Sequence, residues 1–138
     1  MPRVSVWFVR ASLVHLMLGI TLGALLLAEK GLEFGPGLWR LRPAHVEILL
    51  FGWVVQLVLG VAVWIFPRLG LGRTARGGET LQWSAFALLN GAVVVVAVAG
   101  ATGGSLGLGL AGRIAELIAV GLLIAGLWRR ARPGLSEM

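Results

Sequence analysis

The chain has 138 residues, of which 58% are apolar and only 13% charged, against ~45–50% and ~25% in soluble domains. A soluble fold this small leaves too much surface in water to hide that apolar excess, so an ordinary soluble domain is excluded and a bilayer is implied. The net charge of +6 does not point to nucleic acid: the basic residues flank apolar runs, as topology signals and headgroup contacts do, and form no stripe interleaved with aromatics.

The spacing predicts an all-α, four-helix transmembrane bundle in one domain, residues 1–138, with approximate spans 8–28, 44–66, 81–99 and 110–128. The first apolar run covers Ala11 to Ala28 and extends back toward Val6, with Arg10 placed to snorkel to the headgroups. A cleaved signal peptide is the competing reading. The length of the run favours a retained helix, as does its being followed by Glu29, Lys30 and Glu33 rather than a small-residue cleavage site. Gly31 to Pro43 reads as a loop, broken by Gly35-Pro36-Gly37, and Pro43 can open the next helix.

The second run goes from Ala44 to Phe66, with Glu47 near its start and Pro67-Arg68 at its end. Arg68 to Gly78 reads as a second loop. The third run, Leu81 to Ala99, carries Asn90 at mid-depth and the stretch Val93 to Val96. In water that valine stretch suggests a strand, but in lipid every backbone polar group needs an internal partner, so helix is expected. Gly100 to Gly112 reads as a glycine-rich turn. Its Gly107-Leu108-Gly109-Leu110-Ala111-Gly112 matches G-x-G-x-x-G, yet lacks the preceding strand and following acid of a dinucleotide site. The fourth run is Arg113 to Trp128. Each run has about 18–23 residues, enough for a ~30 Å hydrocarbon core.

Orientation follows from basic residues. Arg3, Arg10, Arg68, Arg73, Arg76, Arg129, Arg130 and Arg132 fall on one side, and Lys30, Arg40, Arg42 and Arg113 on the other. The richer side is assigned to the cytoplasm, with both termini there and the chain in the plasma (inner) membrane. Trp7, Trp39, Trp64 and Trp128 lie near span ends, as an aromatic belt requires.

Ionisable and polar residues inside spans are costly, which makes each a functional candidate. They are His15 in the first span, His45, Glu47 and Gln56 in the second, Asn90 in the third, and Arg113 and Glu116 in the fourth. At 100° per residue, His45, Gly52 and Gln56 share a stripe to within about 20°, and Glu47 points the other way. Glycine on such a stripe admits a close helix or a flat cofactor. His15 and His45 are expected roughly 15–20 Å apart along the membrane normal, too far for one iron in one chain. Plainer readings stand beside these: His45 as an interfacial cap, His15 bonded to a neighbouring helix, Arg113 and Glu116 as an i,i+3 ion pair, and Gln56 and Asn90 as interhelical glue.

The segment Pro43-Ala44-His45-Val46-Glu47-Ile48-Leu49-Leu50-Phe51-Gly52-Trp53, with Gly60, Trp64, Pro67 and Arg68 after it, resembles the second helix of subunit I in haem–copper oxidases. The likeness is strongest to the cbb3-type oxidase and nitric oxide reductase branch and to NnrS-like proteins, and it covers roughly a fifth of the chain. The resemblance implies a low-spin haem b with His45 as an axial ligand to the metal, and a role in electron transfer or in haem- or NO-related respiration, beside respiratory-chain proteins. The copper-binding histidine trio is absent, so complete oxidase activity is not expected from this chain alone.

Subunit I arranges twelve helices as three arcs of four, which suggests a homo-oligomer here, a trimer or a dimer, with His45 contributed by neighbouring copies. The other readings are a cofactor-free accessory or assembly protein and a small transporter. The topology is directly testable. A reporter fused after Met138 is expected to be active only in its cytoplasmic form, and periplasmic activity would reverse the orientation.

Overall fold

The computed structural model describes residues 1–32, 35, 37–66 and 73–131, with side chains for all of these but 73–77 and 129–131. Pro36, Glu33, the Pro67-Arg68 exit and Arg132 lie outside the described residues. Among the described residues every regular element is helical. Four helices are long and apolar enough to cross a membrane: Arg3–Leu32, Leu38–Ile65, Gly78–Thr102 and Leu106–Trp128. The chain is a membrane protein built as a four-helix bundle.

Lipid sets this outcome more than local propensity does. Val93 to Val96 are helical, and so are the glycines Gly107 to Gly112, because a helix satisfies each backbone N–H and C=O within its own segment. The turn expected over Gly100 to Gly112 is therefore shorter. The third helix continues to Thr102, Gly103 takes a left-handed φ of 65°, and the fourth starts at Leu106. The third helix begins at Arg73, inside the segment read as a loop. The second span begins at Leu38, with a tight 3-10 turn over Leu38–Leu41 and Pro43 in the first α-turn.

The packing register fixes the topology. On the first and second spans, His45 meets Gly23, His15 meets Gly52, and Phe8 meets Gly60. Numbers fall on one helix as they rise on the other, so the two are antiparallel. Pro43 against Gly100 joins the second and third spans, and Gly112 against Val96 and Gly126 against Leu81 join the third and fourth. Both short turns, near Gly35 and Gly103, thus lie at one end of the bundle, and the termini at the other. One apolar core runs through all four helices, with Val4 and Phe8, Leu59 and Val63, Ala85, Leu89 and Val93, and Ala119, Leu123 and Leu127. Phe8 closes it edge-on against Phe86, with ring centroids 5.1 Å apart.

Outward faces are apolar, as lipid requires. Met17, Leu27 and Leu117 are 68%, 71% and 70% exposed. Trp7, Trp39, Trp64 and Trp128 are all exposed near span ends, where amphipathic rings favour the interface.

Within the second span, Ile48–Val55 widens into i→i+5 turns. The Gln56 N–H reaches the carbonyl of Phe51. Such turns use more than 3.6 residues each, so residues beyond them lag behind the α-helical phase. Along the span, His45, Gly52 and Gly60 pack on the first helix, and Gln56 bonds across to Asn90 on the third.

Close approach at Gly60 gives a stability test. A Cβ there would meet Phe8 Cβ at 2.7 Å and the Val9 backbone nitrogen at 3.4 Å, whereas one at Gly91 would meet nothing within 4 Å. Gly60→Ala is expected to cost about 1–3 kcal/mol, as overpacking does, and to disturb the buried bond from Ser5 Oγ to the Gly60 carbonyl. Gly91→Ala is expected to be neutral. Reversible unfolding in mixed micelles measures both.

Candidate functional site

Two polar groupings lie in the bundle, on opposite flanks of the second span. The first is the pair of histidines in the seam with the first helix. His45 Nδ1 lies 2.9 Å from the Gly19 carbonyl oxygen across the seam, and His15 Nδ1 lies 3.0 Å from the Ala11 carbonyl oxygen in its own helix. A carbonyl only accepts, so each Nδ1 carries the proton and donates it. In a neutral imidazole that leaves Nε2 unprotonated, with a lone pair available to a metal or a donor. Both rings are half-buried, and each makes its hydrogen bond through Nδ1.

Glycines make room for the rings. A Cβ on Gly23 would stand 2.7 Å from His45 Cε1, and one on Gly52 would stand 2.7 Å from His15 Cγ. The gap at Gly52 is thus filled by the His15 ring and not left for a flat cofactor. The two rings sit seven residues apart along the second span, roughly 10 Å at 1.5 Å per residue. This is closer than the 15–20 Å expected, because the span starts at Leu38 and carries His45 about two turns into the helix. Metal–imidazole bonds of about 2 Å still cannot bring both rings to one iron within this chain.

The second grouping faces the fourth helix. Glu47 and Glu116 are each 1% exposed. Arg113 Nη1 contacts Glu47 Oε2 at 2.5 Å and Glu116 Oε2 at 3.0 Å, and its guanidinium carbon lies 5.4 Å from the centre of the Phe51 ring. The i,i+3 pair expected from sequence is present, but it is one side of a three-residue cluster. The missed partner, Glu47, had a signal: it lies near the start of its span, as Arg113 and Glu116 do near the start of theirs, on the same side of the membrane. Glu47 and His45 do point to different neighbours.

Deeper in the bundle, Gln56 Nε2 donates to Asn90 Oδ1 at 3.2 Å, and Asn90 Nδ2 donates to the Phe86 carbonyl at 2.8 Å. Gln56 is fully buried, so it holds two helices together and cannot touch a ligand bound outside. Glu29, not singled out from sequence, is buried at the turn end of the first helix and accepts from the Gly35 N–H at 2.9 Å. Among the described residues no group of three or more His, Cys, Asp or Glu side chains is placed to hold a metal ion.

No protein-family model matches the chain, and neither does any curated protein or solved structure. The Gln56–Asn90 link is open to measurement by a double-mutant cycle with Gln56→Leu and Asn90→Leu. The expected coupling is about 0.6 kcal/mol, the usual size for polar contacts between membrane helices. A coupling near zero would contradict the contact.

Proposed function

We propose that this chain is a small haem b-binding protein of the respiratory membrane, with His45 as the axial ligand and its cytoplasmic side marked by the arginine-rich ends. One observation carries the reading beyond the resemblance of the second span: His45 donates Nδ1–H to the Gly19 carbonyl, which in a neutral imidazole leaves the Nε2 lone pair for a metal. That arrangement fixes both the tautomer and the ring direction, as the outer partners of metal-bound imidazoles do. The donor chemistry fits a haem iron. When bound, the haem supplies one-electron transfer.

The chain's own residues orient the ligand. Gly19 supplies the acceptor and Gly23 the space for the ring, in the seam between the first and second spans. Since the chain brings a single imidazole to any one point, a second ligand would have to come from a second copy of the chain. A two-fold dimer in which His45 of each copy would hold a shared haem is the plainest closed arrangement, and a trimer would require broken symmetry, several haems or a bound metal ion instead. A cofactor-free accessory role is the second reading. It is favoured by the fact that the His15 ring is accounted for by its own hydrogen bond and by packing on Gly52.

Haem content decides between them. His45→Ala is expected to abolish haem binding in the purified protein, whereas His15→Ala retains most of it. Native mass spectrometry in mild detergent is expected to show a dimer with bound haem. Full haem content in His45→Ala, or a monomer with stoichiometric haem, would overturn the assignment.

A further inference from the structure

By composition the turn end of the bundle is balanced. It carries Lys30, Arg40, Arg42 and Arg113 against Glu29, Glu33, Glu47 and Glu116. The fold sorts these charges by burial. Glu29, Glu47 and Glu116 are turned inward, at 5%, 1% and 1% exposure, whereas Lys30, Arg40 and Arg42 are exposed. Arg113 is engaged by Glu47 and Glu116. Among the described residues no acid pairs with Lys30, Arg40 or Arg42. An end that is neutral in sequence thus presents uncompensated cations at its surface.

These cations share one corner. The 3-10 turn Leu38–Leu41 packs on the first helix, which ends at Leu32, so Lys30, Arg40 and Arg42 stand where the first span connects to the second. The other turn at the same end, Thr102 to Ser105, carries no charge. The charged corner also holds apolar groups in the open: Trp39 is 46% exposed and Leu32 is 68% exposed. Residues three apart in a 3-10 turn eclipse, so Trp39 and Arg42 lie one above the other. An indole beside a guanidinium suits the boundary between headgroups and acyl chains, where amphipathic rings settle and long basic side chains reach the phosphates. At that level the anions within reach are those of lipid, not those of a soluble acidic protein.

We propose that this corner binds the headgroup of an anionic phospholipid. Unpaired cations draw a lipid that carries a net negative charge, whereas the phosphate of a zwitterionic lipid is already offset by its own cation. Lys30, Arg40 and Arg42 supply the selectivity, and Trp39 sets the depth. The site uses neither histidine, so it stands independently of haem binding.

The chain has no cysteine, so one introduced cysteine carries a fluorophore to a known place. Gly37→Cys labels the charged corner, at a position where an added Cβ would meet nothing within 4 Å. Leu106→Cys labels the uncharged turn at the same end, at a residue 81% exposed, and so samples the same leaflet. Each labelled protein is placed in phosphatidylcholine nanodiscs with a small fraction of quencher lipid. The quencher is phosphatidylglycerol or phosphatidylcholine, each with a nitroxide high on the acyl chain. At Gly37 the anionic quencher is expected to associate about fivefold better than the zwitterionic one, the effect of a single cation near the surface, or more. At Leu106 the two are expected to associate equally. Combining Lys30→Gln, Arg40→Gln and Arg42→Gln is expected to bring the Gly37 ratio to one, with helicity by circular dichroism unchanged. A ratio of one at Gly37 in the parent, the same enrichment at both positions, or an enrichment that survives the triple variant would each overturn the proposal. The comparison of the two labels needs no charge variant, so it decides even if the triple variant fails to fold.

Discussion

Every polar group in this bundle answers to one constraint: hydrocarbon offers no hydrogen bonds, so each donor and acceptor must find its partner within the protein. The constraint makes helices out of a four-valine stretch and out of a glycine-rich segment that would be a loop in water. It seats Ser5 on the Gly60 carbonyl, Gln56 on Asn90, and His45 on Gly19. It also makes the exceptions informative. Among the described residues the buried oxygens left without a partner are Oε2 of Glu29 and Oε1 of Glu47, Gln56 and Glu116.

The second span organises the rest because it faces both ways. One flank gives His45, Gly52 and Gly60 to the first helix, and the other gives Glu47 to the fourth and Gln56 to the third. The widened turns over Ile48–Val55 shift the phase between Glu47 and Gln56, and wide turns of this kind are frequent at functional sites. The histidine seam and the carboxyl pair are therefore placed on opposite flanks of one helix, within a few residues of each other in depth.

Much of this was legible in the sequence. Apolar runs gave four helices, since a run long enough to span can only be helical in lipid, and the tryptophans marked the span ends. The opposition of His45 and Glu47 followed from helical phase, because both precede the widened turns. Gln56 shares the phase of His45 and Gly52 by periodicity, yet bonds Asn90 on the third helix, a contact between spans that the period of one helix does not report. The depth of His45 depended on where the second span starts, and Pro43 suggested a start several residues later than Leu38. The Glu47 link to Arg113 needed the pairing of the second and fourth spans, and no periodicity within one helix reports that.

The functional account rests on the His45 imidazole having its proton on Nδ1 and a free lone pair on Nε2. Nitrogen-15 NMR of histidine-labelled, haem-free protein in nanodiscs reads the tautomer directly. The account predicts a neutral His45 ring with a protonated Nδ1, hydrogen-bonded to Gly19, and an unprotonated Nε2. A ring protonated on Nε2, or one freely exchanging between tautomers, would contradict it.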